Sequence, residues 1–171
     1  MQFNRRSALG GAAAVMLAFR AGAARGEVNA AFGTLLKRAF SLHWHGQSHQ
    51  KTSFTSSGEF VTDIKADFQI DQDWNLLGNW KEAFLLEGKL YTGYSTIWGS
   101  CWADATIAGI DITKSRFNSA DGLPGDMRWE TFKGKLEFFS DPQRPGHIAL
   151  IGTTYSDADG VPSQVTLVDE S

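Results

Sequence analysis

The chain has 1 cysteine and 4 prolines among its 171 residues. With 1 cysteine an intrachain disulfide is excluded, so the fold must be held by packing alone. Neither charge sign dominates, because 16 basic and 19 acidic residues leave a net charge of −3, which argues against nucleic acid as a partner. Glycine and aromatic residues are abundant instead, with 18 Gly, 12 Phe and 6 Trp. This balance favours a twisted β protein with tight turns.

The N-terminal residues form a segment of their own. Arg5 and Arg6 come before an apolar stretch rich in Ala and Gly, and Ala21-Gly22-Ala23 has the small-x-small pattern of a cleavage site. The apolar stretch has about 12 residues, whereas a transmembrane helix needs roughly 20. The arginine pair, with Leu9 after it, resembles the twin-arginine signal of bacterial exporters. We therefore expect residues 1–23 to be a cleavable export signal without a membrane span, and the protein to be periplasmic or secreted.

From Phe40 onward, apolar residues alternate with polar ones, which is the pattern of strands that bury one face. The longest alternating run, residues 60–71, has acids in its polar row and predicts Ile64 and Phe68 in the core. Turns containing Gly or Pro separate the runs, and no gap is long enough for a crossover helix. The sheet is therefore predicted to be antiparallel.

Residues 24–171 are accordingly predicted to form one all-β domain of about nine strands. A single antiparallel β-barrel, of the kind found in lipocalins and avidins, and a two-sheet sandwich both satisfy the pattern, and the barrel is favoured. A helical spacing of apolar residues predicts a short N-terminal helix at residues 27–39.

The aromatic residues suggest where a ligand binds. Trp44, Trp98 and Trp102 are assigned to one alternating face of their strands, and Tyr94 lies in the same run as the last two. Tryptophan combines a large apolar surface with an N–H donor, so it can line a cavity or stack on a sugar. These four residues are the predicted site for a small apolar or sugar-like ligand, with no cofactor. The alternative is that large aromatic side chains simply fill the barrel.

A second hypothesis concerns a metal ion. His43 and His45 are two residues apart on one strand, so their imidazoles project from the same face, as ligands of Zn or Fe do in several β-barrel metalloproteins. The pair resembles the His-x-His motif of cupins, which implies further ligands, and His49 and His147 are the candidates. The alternative is that Trp44 faces the core, which leaves the histidines in solvent.

Two other patterns have simpler interpretations. The segment Trp98–Ala103 resembles the surroundings of the papain-family nucleophile, but it lies in a strand-like stretch, so Cys101 is predicted to be buried and structural. A set of acids and amides follows the spacing of a calcium loop without its glycine, and is predicted to be a hairpin tip. Its members are Asp71, Asp73, Asn75, Asn79 and Glu82.

The sequence leaves three functions open. We favour a non-enzymatic module that binds a small molecule. The alternatives are a cupin-like metal-dependent enzyme using His43 and His45, and a small barrel cyclase or isomerase that acts on an apolar substrate. No nucleophile–base–acid set, phosphate-binding loop or CxxC pair is evident in the sequence, so enzymatic activity stays uncertain.

Overall fold

The computed structural model describes residues 43–51, 58–71, 73–103, 107–125, 127–141, 144 and 147–170. The predicted signal at residues 1–23 and the predicted helix at 27–39 lie outside these ranges. The described residues contain eight strands. They are β1 (His43–Lys51), β2 (Glu59–Ile70), β3 (Asn75–Leu86), β4 (Lys89–Ala103), β5 (Ala108–Ala120), β6 (Phe132–Ser140), β7 (Ile148–Ser156) and β8 (Pro162–Glu170).

The strands form a closed barrel in which each strand pairs antiparallel with the next in sequence, and β8 pairs with β1. The predicted single antiparallel all-β barrel is therefore confirmed, and the sandwich is excluded. The described strands number eight rather than about nine. Register shifts along the β4–β5 pairing interrupt the alternation of β5, although it continues as one strand to Ala120.

Side-chain alternation assigns the faces of β2 correctly. Ile64 and Phe68 are 1% and 2% exposed, whereas Asp67 between them is exposed. Inward residues of the other strands join them in one apolar core, which includes Trp44, Leu76 and Leu150. We call the end of the barrel where β1 begins and β8 finishes the Asp169 end, and the opposite end the Trp129 end.

Three glycines on β1, β4 and β7 allow the strands to coil into a closed barrel. A Cβ atom on Gly46, Gly99 or Gly152 would lie 2.0, 1.9 or 2.0 Å from a backbone carbonyl oxygen of the neighbouring strand. No side chain fits at such a distance, so the backbones approach each other at these positions as only glycine permits. Glycines placed in this way introduce the curvature that barrel closure requires.

We expect Gly99→Ala to reduce the free energy of unfolding by about 3 kcal/mol, because the added methyl group meets a backbone oxygen that cannot move aside. Gly122→Ala is the matched control, since nothing lies within 4 Å of its Cβ position and its φ angle is not positive. Urea unfolding curves of both variants measure the difference. Equal stabilities of the two variants would contradict the close approach at Gly99.

Candidate functional site

The predicted ligand-binding residues lie on two different faces of the barrel. Trp44 is 1% exposed and belongs to the interior core. The inward row of β4 contains Ile97 and Cys101, so Tyr94, Trp98 and Trp102 lie on the outer face. This differs from the expectation that the tryptophans share one face. Both rows of β4 carry large side chains, and a shift of one residue exchanges the rows, so alternation alone did not identify the inner one.

The outer aromatic rings lie beside cationic side chains of neighbouring strands. The distances to the ring centroids are 5.6 Å for Lys114 and 5.7 Å for Arg116 over Trp98, 4.2 Å for Lys135 over Trp102, and 5.2 Å for Lys81 over Tyr94. Cations in such positions are attracted by the negative faces of the rings. The three rings therefore belong to a cationic outer surface and do not line the barrel interior.

His43, His45 and His49 also lie on the outer face, along β1. Each has its Nδ1 near a carboxylate of an adjacent strand. Asp67 bonds His43, Glu170 Oε1 lies 3.4 Å from His45, and Glu59 Oε1 lies 3.1 Å from His49. The hydrogen bond and charge of Asp67 raise the pKa of His43. Each imidazole therefore has a carboxylate as its neighbour, and His43 and His45 share a face as predicted.

His147 lies at the Asp169 end of the barrel. Its Nδ1 atom is 2.8 Å from Oδ1 of Asp169, a carboxylate that is 0% exposed, and the N–H of Ile148 donates to the same oxygen at 3.2 Å. Arg144 places Nη2 3.6 Å from that oxygen. Across the described ranges, no group of three or more His, Cys, Asp or Glu side chains is arranged to hold a metal ion. The four predicted metal ligands are therefore not brought together there.

The remaining sequence motifs have structural roles. Cys101 is buried, and its burial raises the pKa of the thiol to about 12, so the reactive thiolate is disfavoured. In the β2–β3 hairpin, Asp71 Oδ1 accepts the N–H groups of Asp73 and Asn75, both at 2.9 Å. Hydrogen bonds from Asn75 lower the pKa of Asp71. The prediction of a structural cysteine is confirmed. The hairpin tip is confirmed for Asp71 and Asp73, whereas Asn79 and Glu82 of the same predicted set lie inside β3.

Glu82, which the sequence pattern assigned to the hairpin tip, is instead a functional candidate in the barrel interior. It continues the inward row of β3 after Leu76, Gly78 and Trp80, and is only partly exposed. Trp80 Nε1 donates a hydrogen bond to Glu82 Oε1 at 2.9 Å. Burial raises the pKa of this carboxyl to about 7, against the opposing effect of the Trp80 bond. Among the described residues, no cation contributes to the environment of Glu82.

Aromatic rings lie next to Glu82 on the side of the Trp129 end. Glu82 is paired across the sheet with Ile64 on β2 and Gly93 on β4. A Cβ atom on Gly93 would lie 2.9 Å from the ring of Trp129 and 3.2 Å from that of Phe117. Both rings therefore cover the glycine that is the direct neighbour of Glu82.

Further ring contacts join these residues into one group. We call Phe60, Phe84, Tyr91, Phe117 and Trp129 the aromatic cluster. The centroid distances are 4.8 Å for Phe60–Phe84, 5.6 Å for Phe84–Tyr91, 5.3 Å for Phe84–Trp129 and 5.7 Å for Phe117–Trp129. Phe84 and Tyr91 are buried, and the other three are partly exposed. The cluster thus extends from the core towards solvent.

Trp129 reaches this position because β5 and β6 separate. They pair over four residue positions only, and the segment between them carries Trp129. Trp129 Nε1 donates to the carbonyl oxygen of Asp121 at 2.7 Å, and Asp121 Oδ2 accepts the N–H of Thr92 at 2.7 Å. Where the ladder finishes, Ser115 Oγ accepts the N–H of Phe132 at 2.6 Å. These bonds hold Trp129 over the barrel end.

The interior at the Trp129 end is more polar than the rest of the core. Its inward side chains include Ser48, Gln50, Thr62, Ser95, Ser115 and Thr154. Ser48 and Gln50 are partly exposed although they face inward. Ser95 is 2% exposed, and its Oγ has no hydrogen-bond partner. This end therefore combines solvent access, unused hydrogen-bonding capacity and the Glu82 carboxyl, which makes it the candidate functional site.

Comparison with family models, curated proteins and solved structures gives no match to this chain. Fold and site define a class: a small antiparallel eight-stranded barrel with an acid and an aromatic cluster inside one end. No helix within the described ranges has the length and apolarity needed to cross a membrane. The sequence contains one indication of this site, which is the single acid, Glu82, within the otherwise apolar inward row of β3.

The raised pKa of Glu82 predicts a specific pH dependence of stability. A carboxyl with a pKa of about 7 in the folded state and 4.5 as its ordinary value binds more protons when folded. Its stabilising effect is therefore complete below about pH 4.5 and lost as the pH rises through 7. We expect the free energy of unfolding of the wild type to fall by about 2 kcal/mol between pH 5 and 8, and we expect Glu82→Gln to abolish this fall.

Chemical denaturation across this pH range measures the effect as the difference between wild type and variant. Glu130→Gln, which alters an exposed acid, serves as the control for net charge. Parallel pH profiles of the wild type and Glu82→Gln would contradict the desolvation of Glu82.

Proposed function

We propose that this protein is a non-enzymatic binding module for a small, largely apolar ligand held inside the Trp129 end of the barrel. Eight-stranded barrels have an interior that either fills with side chains or holds one small ligand. Ligand sites are mostly apolar and contain a few polar groups that fix the orientation of the ligand. The aromatic cluster supplies the apolar surface, and Glu82 supplies the polar contact.

The observation that carries this proposal is the position of Glu82. A carboxyl that is largely removed from water is unfavourable for folding unless its hydrogen-bonding capacity is used. Trp80 uses one oxygen of this carboxyl. Ionisable groups with strongly shifted pKa values occur preferentially at functional sites, so this cost is explained when a ligand completes the hydrogen bonding.

We also propose that the protein acts outside the cytoplasm, in the periplasm or after secretion. The support is the arginine pair Arg5-Arg6 and the cleavage pattern that finishes at Ala23. The proposed partner is a small molecule and not nucleic acid.

Contact quenching locates the ligand. We expect 10-bromo-1-decanol to quench tryptophan emission saturably, because its bromine quenches an indole only at contact and its hydroxyl can donate to Glu82. Trp129→Phe should remove most of the quenching, since Trp129 is the tryptophan that lies partly exposed at this end. Titrations followed by fluorescence measure amplitude and affinity.

Trp98→Phe is the matched control, because Trp98 lies on the outer face beside Lys114 and Arg116. The variant lacks the emission of Trp98 itself. After this loss is subtracted, the quenching caused by the ligand should stay within about 20% of the wild-type value. Loss of quenching in Trp98→Phe with retention in Trp129→Phe would move the site to the outer surface. Absence of saturable quenching would reject the proposed binding function.

A second candidate function is an isomerase, and Glu82 is the observation that favours it. A general base works best when its pKa is close to the working pH, as it is for this carboxyl. Glu82 would remove a proton from C3 of a β,γ-unsaturated ketone such as 4-decen-2-one and return it to C5, which gives the conjugated 3-decen-2-one. The metal-dependent alternative has no comparable observation in its favour.

The ultraviolet absorbance of the conjugated product measures this reaction. An isomerase should convert 4-decen-2-one faster than buffer does, and Glu82→Gln should reduce the rate at least 100-fold, as the loss of a general base typically does. Equal rates with the wild type and the variant would reject catalysis and leave the binding module.

A further inference from the structure

The groups that face Glu82 offer hydrogen-bonding atoms and ring faces but no positive charge. The neighbouring inward residues are Thr62 and Ile64 on β2, and Tyr91, Gly93 and Ser95 on β4. Inward residues of the other strands at this end are Ser48 and Gln50 on β1, Ser115 and Phe117 on β5, Phe132 on β6, Thr154 on β7, and Ser163 and Val165 on β8. Two other ionisable side chains lie in these described rows: Tyr91, and Lys89, which is exposed at the start of β4 and does not contribute to the environment of Glu82.

We propose that the ligand held beside Glu82 carries a protonated amine on an apolar body. This inference rests on the proposed binding function and specifies the chemistry of its ligand. An ammonium group would supply the counter-charge that the chain itself does not place next to the Glu82 carboxylate. It would also convert an isolated interior charge into a pair, which is the arrangement in which interior charges are normally tolerated.

The aromatic cluster fits the same ligand. The faces of Trp, Tyr and Phe rings attract cations, and the attraction is larger where water is excluded. Trp129 and Phe117 lie over Gly93, directly beside Glu82, so a cation paired with this carboxylate would lie close to both rings. Within the cluster itself, Lys89 Nζ already lies 4.8 Å from the centroid of Tyr91, so a cation fits beside these rings.

Unused oxygen atoms complete the fit. A primary ammonium has three N–H donors, and one carboxylate oxygen satisfies only one of them well. Ser95 Oγ is buried, lacks a partner, and lies on the inward row two residues beyond Gly93. It can accept a hydrogen bond from an ammonium or an alcohol, but a ligand carboxylate would place a second negative charge against Glu82.

Pairing with a cation favours the ionised form of a carboxyl and therefore lowers its pKa. Since the pKa of Glu82 is about 7 without ligand, about half of the molecules carry the proton at pH 7. Binding of an ammonium ligand should therefore release up to about half a proton at pH 7. A neutral alcohol, which can only donate a hydrogen bond to Glu82, should lower this pKa less and release fewer protons.

The test compares decylamine, 1-decanol and decanoate, which share one apolar chain, as competitors of 10-bromo-1-decanol. We expect decylamine to bind at least tenfold more tightly than 1-decanol, and decanoate to bind more weakly than either. Calorimetry in two buffers of different ionisation enthalpy should show clearly more proton release with decylamine than with 1-decanol. In Glu82→Gln, the amine and the alcohol should bind within about twofold of each other.

Glu130→Gln is the matched control, because it removes the same net charge from an exposed acid beside Trp129. It should keep the preference for the amine and the proton release, which separates a specific pair from general attraction by an acidic protein. Equal affinity of decylamine and 1-decanol for the wild type would overturn the amine inference while the binding function stands. If 10-bromo-1-decanol does not bind, and calorimetry detects no binding of the other three ligands, the binding function fails as well.

Discussion

The pairing of β1 with β8 is the constraint on which the rest of the structure depends. It runs from His43↔Glu170 to Gln50↔Ser163 and converts an eight-stranded meander into a barrel without a free edge. Closure fixes the interior, because strand number and strand tilt together set the diameter of a barrel. Every inward side chain must then fit the same narrow space. Apolar residues fill it from the Asp169 end to the middle, and polar and aromatic residues occupy the Trp129 end.

The interior acids at the two ends of the barrel have different hydrogen-bond and ionic partners. At one end, Asp169 accepts hydrogen bonds from His147 and from the backbone of Ile148, with Arg144 nearby. Its Oδ1 atom therefore has partners within the protein and a guanidinium nearby, although its Oδ2 atom is buried without a hydrogen-bond partner. At the other end, Glu82 has a tryptophan N–H as its partner and no neighbouring cation among the described residues. The difference between a compensated and an uncompensated carboxyl is the physical reason for placing the ligand at the Trp129 end.

The sequence predicted the fold class well because β2 has two unmistakable rows, one apolar and one rich in acids. It did not assign β4, where Tyr94, Trp98 and Trp102 form one row of large side chains and Tyr91, Ile97 and Cys101 form another. The choice between such rows depends on register with the neighbouring strands, which a single sequence does not contain. For the same reason the carboxylate partners of the histidines on β1 could not be foreseen. Glu82 was overlooked because one acid in an apolar row also fits the spacing of a polar turn.

Barrel closure has a consequence for how the chain folds. Seven of the eight strand pairings join neighbours in sequence, and the pairing of β1 with β8 is the one that spans the whole barrel. Non-local pairings of this kind form slowly, because the entropy of closing a long loop must be overcome first. Until then β1 and β8 are open edges that can pair with another chain. The outer row of β1 carries three histidines and Lys51, and such charged or chargeable side chains on an edge strand oppose pairing between molecules. Residues that first suggested a metal site thus also protect the barrel while it folds.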